Sequence, residues 1–504
     1  MMQKHINIFI LCASLLLVGC KDRPKVPEQA LLVSKPLSIQ PDYQGVTIPA
    51  NLCPTNFLVR ENGDRMVARF STRSNQTDKE LSFTYGKSMQ VIIDPNEWEE
   101  LKQVARGGSI EVEIFVEQQG EWYAFNPFEI HVAEEEIDPY ISYRLIPPSY
   151  VSYEELIIEQ RDLRSFETKE IFNTRQMITQ KKGHCINCHS YQNYGTENML
   201  FHVRNDWSGT VIVSEGKASK VNLKTPQTLS AGVYPAWHPT EQLIAFSTNK
   251  TAQVFHPTHA SKVEVFDAAS DLILYDVKAN KVTTISDETD QLECFPTWSP
   301  DGEWLYFTSA RTPFDSNAKD LFAEAQQHLS DIRYDLCRKH FDRQSGTFGP
   351  TEIVYEASAD SMSVTLPRIS PDGRYVAFSL APYGCFHVWH PSADIMLYDL
   401  DKKKLTPAMG INSQYSESYP SFSSNGRWLM TASRRDDGNY TRPYIAYFDK
   451  NGHCHKPFEV PQQSPLYYTL SFNSFNRPEF MKEPVKISAK QFEDVIEREA
   501  QQAQ

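Results

Sequence analysis

Cys185-Ile186-Asn187-Cys188-His189 sets two thiols three positions apart, with an imidazole directly after the second. Thiols at that spacing can bond to the two vinyl groups of one porphyrin, and the adjacent imidazole can ligate the iron. That is the pattern of covalent haem c attachment. Rival chemistries use the same residue types. A thiol–disulfide redox pair needs a βαβ context, which the flanking sequence lacks. A zinc site needs two further ligands, for which His184 and His202 are near enough. The haem reading is favoured because His189 follows the second cysteine and because the chain opens with an export signal. For the far side of the iron, Met199 offers a thioether and His202 an imidazole, and a thioether would raise the reduction potential relative to a second histidine. Met199 stands beside Leu200 and Phe201, a setting in which methionine is ordinarily core.

The export signal is the opening Met1-Met2-Gln3-Lys4-His5 and the apolar run from Ile6 to Val18, too short to span a bilayer as a helix. It ends in Leu17-Val18-Gly19-Cys20, the form of a bacterial lipobox, which predicts cleavage before Cys20 and a lipid on that thiol. With 64 acidic against 50 basic residues the chain has a formal net charge of −14 and no basic cluster, which argues against nucleic acid and anionic membrane surfaces as partners. Of nine cysteines, Cys12 leaves with the signal and Cys20, Cys185 and Cys188 are assigned. Cys53, Cys294, Cys337, Cys385 and Cys454 remain. The number is odd, so a disulfide framework is not what holds the fold.

The elements that must position this chemistry read as mainly β. Residues 21–41 are polar and proline-bearing, as expected of a tether. Residues 42–134 carry short β-rich runs and one helix capped by Asp94 with Pro95 in its first turn, which predicts an immunoglobulin-like β-sandwich. Residues 135–206 read as a helical segment bearing the haem motif, with helices expected over Glu154–Phe166 and Thr168–Lys182 and the cysteines at or just after a helix C-terminus near Gly183.

From 207 to 480 the chain repeats itself. Tyr234-Pro235-Ala236-Trp237, Phe295-Pro296-Thr297-Trp298, Leu366-Pro367-Arg368-Ile369 and Tyr419-Pro420-Ser421-Phe422 each precede a turn and an apolar strand. Ser299-Pro300-Asp301-Gly302 and Ser370-Pro371-Asp372-Gly373 suit type I turns. Units of this kind cannot bury their faces alone and solve the problem by stacking radially, so a β-propeller of five or six blades is expected. A charged tail, 481–504, follows.

The Ser-Pro-Asp-Gly blade motif resembles that of the TolB-like propellers. Together with the lipobox, the sandwich and Cys-Ile-Asn-Cys-His, the chain resembles Bacteroidetes envelope lipoproteins of that kind. Phe201-His202-Val203-Arg204, Leu336-Cys337-Arg338, Gly346-Thr347-Phe348-Gly349, Ser433-Arg434-Arg435-Asp436-Asp437-Gly438 and Arg477-Pro478-Glu479-Phe480 support the match. The resemblance implies an architecture and a compartment but no activity.

The other chemistry-bearing residues read more plainly. His256 and His259, His387 and His390, and His453 and His455 are expected to make ordinary hydrogen bonds in loops. Arg434 to Asp437 could bind an anionic ligand at a propeller mouth, but their locally balanced signs favour an inter-blade salt-bridge network. No hydrolase elbow occurs. The expectation is an envelope-anchored, c-type cytochrome-like lipoprotein, facing the periplasm, whose propeller docks a partner and whose single haem relays electrons. The alternative is a propeller scaffold for an envelope protein or glycan, with the haem structural or sensory.

Overall fold

Strands dominate the regular structure because the apolar residues recur with a period of two and flank short turns. In the computed structural model, residues 23–73, 80–86, 88–148, 155–176, 185–256 and 258–504 are described. The signal, Cys20, His184 and positions 177–182 of the second expected helix lie outside them. Among the described residues no helix is long and apolar enough to cross a membrane.

The N-terminal part is a two-sheet sandwich. Its seven-stranded sheet runs Leu31–Val33, Glu121–Phe125, Ser109–Gln118, Phe128–Val132 and Thr47–Ile48, with Arg65–Arg73 and Glu80–Gly86 joined to it. Its three-stranded sheet is Ile39–Gln40, Phe57–Val59 and Gln90–Val91. The helix Pro95–Ala105 is capped by Asp94, whose carboxylate accepts from the backbones of Asn96 and Glu97, and it buries Trp98 and Leu101 in the core that the two sheets share. The tether is shorter than expected: Leu31–Val33 and Ile39–Gln40 pair into the sandwich.

The rest is a six-bladed β-propeller that begins near Tyr140, not near 207. Its innermost strands are Ser474–Met481, Cys185–Gln192, Val233–Trp237, Gln291–Trp298, Ser363–Ile369 and Glu417–Phe422, each packed beside the next around one axis. Blade 1 joins the two ends of the propeller. The late strand Ser474–Met481 lies innermost, and Tyr140–Ile146, Ile157–Asp162 and Thr168–Asn173 complete the sheet outward. Blade 2 runs Cys185–Gln192, Gly195–Arg204, Gly209–Ser214 and Lys217–Asn222, and Gln501–Gln502 adds a parallel outer strand. The tail therefore belongs to blade 2. Its helix Ala489–Ile496 buries Phe492, Val495 and Ile496 against that blade.

Where helices were expected over Glu154–Phe166 and Thr168–Lys182, the structure has the strands Ile157–Asp162 and Thr168–Asn173, followed by a short 3-10 turn at Thr174–Gln176. Tertiary pairing overrides local propensity: Ile157–Asp162 bonds in register to Tyr140–Ile146 on one side and to Thr168–Asn173 on the other. The cysteine motif likewise lies in a strand, Cys185–Gln192. The Ser-Pro-Asp-Gly turns form as expected, with Gly302 and Gly373 at φ 72° and 73°, a conformation that favours glycine.

Candidate functional site: the propeller mouth beside Cys185 and Cys188

Every innermost strand carries the same β-bulge, and the bulge decides where the motif's side chains go. Its first residue is Cys188, Tyr234, Phe295, Leu366, Tyr419 or Arg477, all at φ between 49° and 56°. In each blade the pairing register slips there. In five blades the next residue is proline, which has no N–H to lose from the ladder. In blade 2 it is His189. Cys188-His189-Ser190-Tyr191 is thus the blade 2 copy of Tyr234-Pro235-Ala236-Trp237.

In a regular strand, residues three apart face opposite sides. The bulge breaks that alternation. Cys185, Asn187 and Cys188 consequently all line one cavity of about 910 Å³ at the mouth of the propeller. Both cysteines are half-buried, and neither is in a disulfide. His202 lines the same cavity. It pairs with Asn187 across the strands, so it stands next to the thiols. His202 Nδ1 is 3.0 Å from Thr210 Oγ1, while Nε2 is buried with no partner among the described residues. Burial pulls its pKa down to about 3, so the ring is neutral.

His189 goes elsewhere. Its ring is fully buried, does not line the cavity, and packs 5.9 Å from the Tyr191 ring. Burial pulls its pKa down to about 4, with Glu479, Arg477 and Arg144 the charges that bear on it. It therefore sits toward the seam with the innermost strand of blade 1. Met199 is also fully buried, with Phe201 and Val203 in the core of blade 2, and does not line the cavity. Met199 shares its strand face with Phe201 and Val203, while His202 lies on the other; of that face only Val203, near the strand end, reaches the cavity.

The cavity wall is cationic in an acidic protein. Arg144, Arg204, Lys224 and Arg434 line it, and none of the described residues lining it is an aspartate or a glutamate. Arg144 Nη1 donates to Ile186 O at 3.1 Å, tying blade 1 to the strand that carries the motif. Arg434 lies 3.4 Å from the Trp389 ring centroid and donates to Val388 O at 2.7 Å. Below the cavity the axis is filled. The Tyr234 and Phe295 rings meet at 4.3 Å, and Glu479 accepts from both Arg368 and Arg477. The axial space there is about 20 Å³, on the scale of one water molecule. The mouth is a blind pocket rather than a tunnel.

The other candidate groups are apart from this pocket. His390 Nε2 lies 2.8 Å from Glu264 in a buried pair, and His387 Nε2 faces the carbonyls of Tyr383 and Gly384. His453 and His455 lie 3.3 and 3.8 Å from Asp449. The His256 and His259 rings are 5.9 Å apart. Beyond Arg434, the charged loop finds other partners: Arg435 pairs with the buried Glu417 at 3.2 Å, Asp436 accepts from the Tyr444 hydroxyl, and Asp437 caps the backbones of Asn439 and Tyr440. Sequence reasoning singled out Arg434 but missed Arg144, Arg204 and Lys224 as wall cations, and it missed the bulge. One signal was available, because Cys-His-Ser-Tyr fits the same small-residue, aromatic template as the four Pro-containing repeats.

No family model matches the chain, and no curated protein does. Solved structures similar to it include the β-propeller domain of the Trilobed protease from Pyrococcus furiosus, at 10% identity over 82% of this chain and 98% of that chain, TM-score 0.34. The tricorn protease matches at 12% identity over 71% of this chain and 34% of that one, TM-score 0.35. A chain of the nidogen/laminin complex matches at 7% identity over 68% of this chain and all of that one, TM-score 0.40. The chain is a mainly β protein with a β-propeller, and its own strand order carries that conclusion.

Proposed function

We propose that the mouth pocket holds one haem c, bonded through Cys185 and Cys188, and that the protein relays single electrons at the envelope surface to which Cys20 tethers it. The observation that carries the reading is the convergence of two unbridged thiols on one blind, cationic pocket of about 910 Å³. That volume lies within the range of cofactor sites.

The residues present fit the group in three respects. The bulge at Cys188 turns both thiols to the same side, as two thioethers to one ring require. Each thiol adds its S–H across a vinyl double bond, forming C–S and C–H bonds, so no oxidant or reductant is consumed. The Arg144, Arg204, Lys224 and Arg434 cations suit the two carboxylates of a porphyrin, and no acidic side chain on the wall opposes them. In a fourth respect the motif and the geometry differ. The motif nominates His189 for the iron, and seating its ring there would require the strand to turn over at Cys188. Bound in the pocket, the group would supply one-electron transfer.

The chain's own residues then have defined tasks. Cys185 and Cys188 anchor. The apolar wall of Val233, Val263, Val265 and Phe386 keeps water from one side of the pocket. The filled axis leaves the mouth as the way in, so a redox partner would dock on the blade loops around it.

The test is redox spectroscopy on lipoprotein made with haem-maturation machinery. The wild type should give a reduced-minus-oxidised haem spectrum and titrate as a single one-electron couple. Cys185→Ser with Cys188→Ser should yield folded, colourless protein. A colourless wild type refutes the proposal.

A further inference from the structure

Resting on the reading that Cys20 carries the lipid, we infer that the anchor is no free tether: it holds the β-sandwich directly against the bilayer, with Leu31 and Leu32 at the lipid surface.

Reach makes the case. The chain after Cys20 is already fastened at Arg23 and Pro24. The Arg23 guanidinium lies 2.5 Å from Glu97 of the sandwich helix and 4.9 Å from the Phe83 ring centroid, and the Thr84 hydroxyl donates to Pro24 O at 2.7 Å. Three steps of extended chain, about 11 Å, are therefore the most that can separate the lipidated position from the folded sandwich. The headgroup layer is itself about 5–8 Å thick on each side of the hydrocarbon. So short a link leaves no room for the domain to stand off from the membrane.

The same peptide presents an apolar contact. Leu31–Val33 ends the strand order of the seven-stranded sheet, paired to Glu121–Phe125. Leu31 is 57% and Leu32 75% exposed. Consecutive exposed leucines on an open edge invite pairing with other chains unless something covers them. Leu32 pairs with Ala124, so strand alternation puts it on the face that also carries the half-buried Trp122. Tryptophan is enriched at the boundary between headgroups and hydrocarbon. A phospholipid surface would cover this corner through apolar contact, which needs no basic cluster.

The consequence reaches the propeller. The Tyr43 hydroxyl donates to Glu459 O at 3.4 Å, Asn56 Nδ2 to Gln463 O at 3.0 Å, and Lys456 Nζ to Gln44 O at 2.7 Å. Phe458 and Val460 of blade 6 share a core with Tyr43 and Phe57 of the sandwich. The anchor thereby fixes how the propeller mouth faces relative to the membrane.

The experiment places a benzophenone side chain at position 32 of the full-length lipoprotein in phosphatidylcholine vesicles and reads photo-crosslinked phospholipid by mass spectrometry. Ile353, 60% exposed on the outer strand Glu352–Tyr355 of blade 4, is the control site. Adducts should form at position 32 and be lost at position 353. A flexible Gly-Ser insert of about 20 residues after Asp22, with a mean reach of about 25 Å, should cut the yield at position 32 severalfold. Equal yields at the two positions, or a yield unmoved by the insert, overturns the inference while leaving the lipid on Cys20 intact. A wild type whose intact mass carries no lipid at Cys20 instead defeats the tether reading itself.

Discussion

Removing the ring of Phe475 tests whether the late strand Ser474–Met481 closes the propeller. Phe475 is fully buried in that strand. Its ring lies 4.9 Å from that of Tyr143, on the first strand of the propeller, and 5.3 Å from that of Tyr468. Phe475→Ala therefore removes a buried aromatic from the junction of the two chain ends. Such truncations cost about 3–5 kcal/mol, and each lost aromatic pair contributes about 0.5–1.5 kcal/mol of that. The expected loss is about 4 kcal/mol in urea unfolding followed by fluorescence. A double-mutant cycle with Tyr143→Ala should show a coupling of about 1 kcal/mol, because the two rings touch across the closure. Leu470→Ala, 70% exposed nearby, is the control and should change stability by less than about 0.5 kcal/mol. A Phe475→Ala protein within about 1 kcal/mol of wild type, or strict additivity with Tyr143→Ala, would refute closure by this strand.

Burial raises the carboxyl of Asp267 from its ordinary 3.8 to about 6, although Thr251 and Asn249 donate to it. A raised folded-state value means the contribution is fully present below about pH 3.8 and is lost as pH rises through about 6. The shift of about two pH units is worth about 3 kcal/mol. Asp267→Asn should flatten stability between pH 4 and 7 in denaturant titrations, and parallel pH profiles for the two proteins would contradict this. Met199→Leu conserves volume in the blade 2 core and should cost less than about 1.5 kcal/mol while leaving the haem spectrum unchanged; a spectral shift would place the thioether at the iron. Glu264→Ala strips the buried partner from His390 and should cost about 3–5 kcal/mol, read by thermal unfolding; a loss under about 1 kcal/mol would mean the pair is not isolated from water.

The propeller was legible because each of four repeats states its blade locally: a proline-bearing motif, a turn (Ser-Pro-Asp-Gly in two of them), then an apolar strand. Of the first two blades only the flanking segments, about 207–232 and 464–480, stood out as able to supply strands. Ile157–Asp162 and Thr168–Asn173 contain no glycine or proline and have mixed polarity, and only pairing with each other and with Tyr140–Ile146 makes them β. His189 in place of proline hid the fact that the cysteine motif is itself an innermost strand. Cys185, Cys188 and His202 could be named from sequence, since their types and spacing carry the chemistry. Which imidazole faces the thiols could not, because that depends on a single φ at Cys188 and on strand register. The cationic wall was largely hidden: Arg144, Arg204, Lys224 and Arg434 come from three different blades and meet only in the closed ring.

The measurement that bears most directly on this account is the intact mass of the denatured protein, produced with and without haem-maturation machinery. The account predicts one porphyrin per chain that survives denaturation, with Cys185 and Cys188 refractory to alkylation. Material of unmodified mass at these two positions, with both thiols open to alkylating reagent, would contradict it.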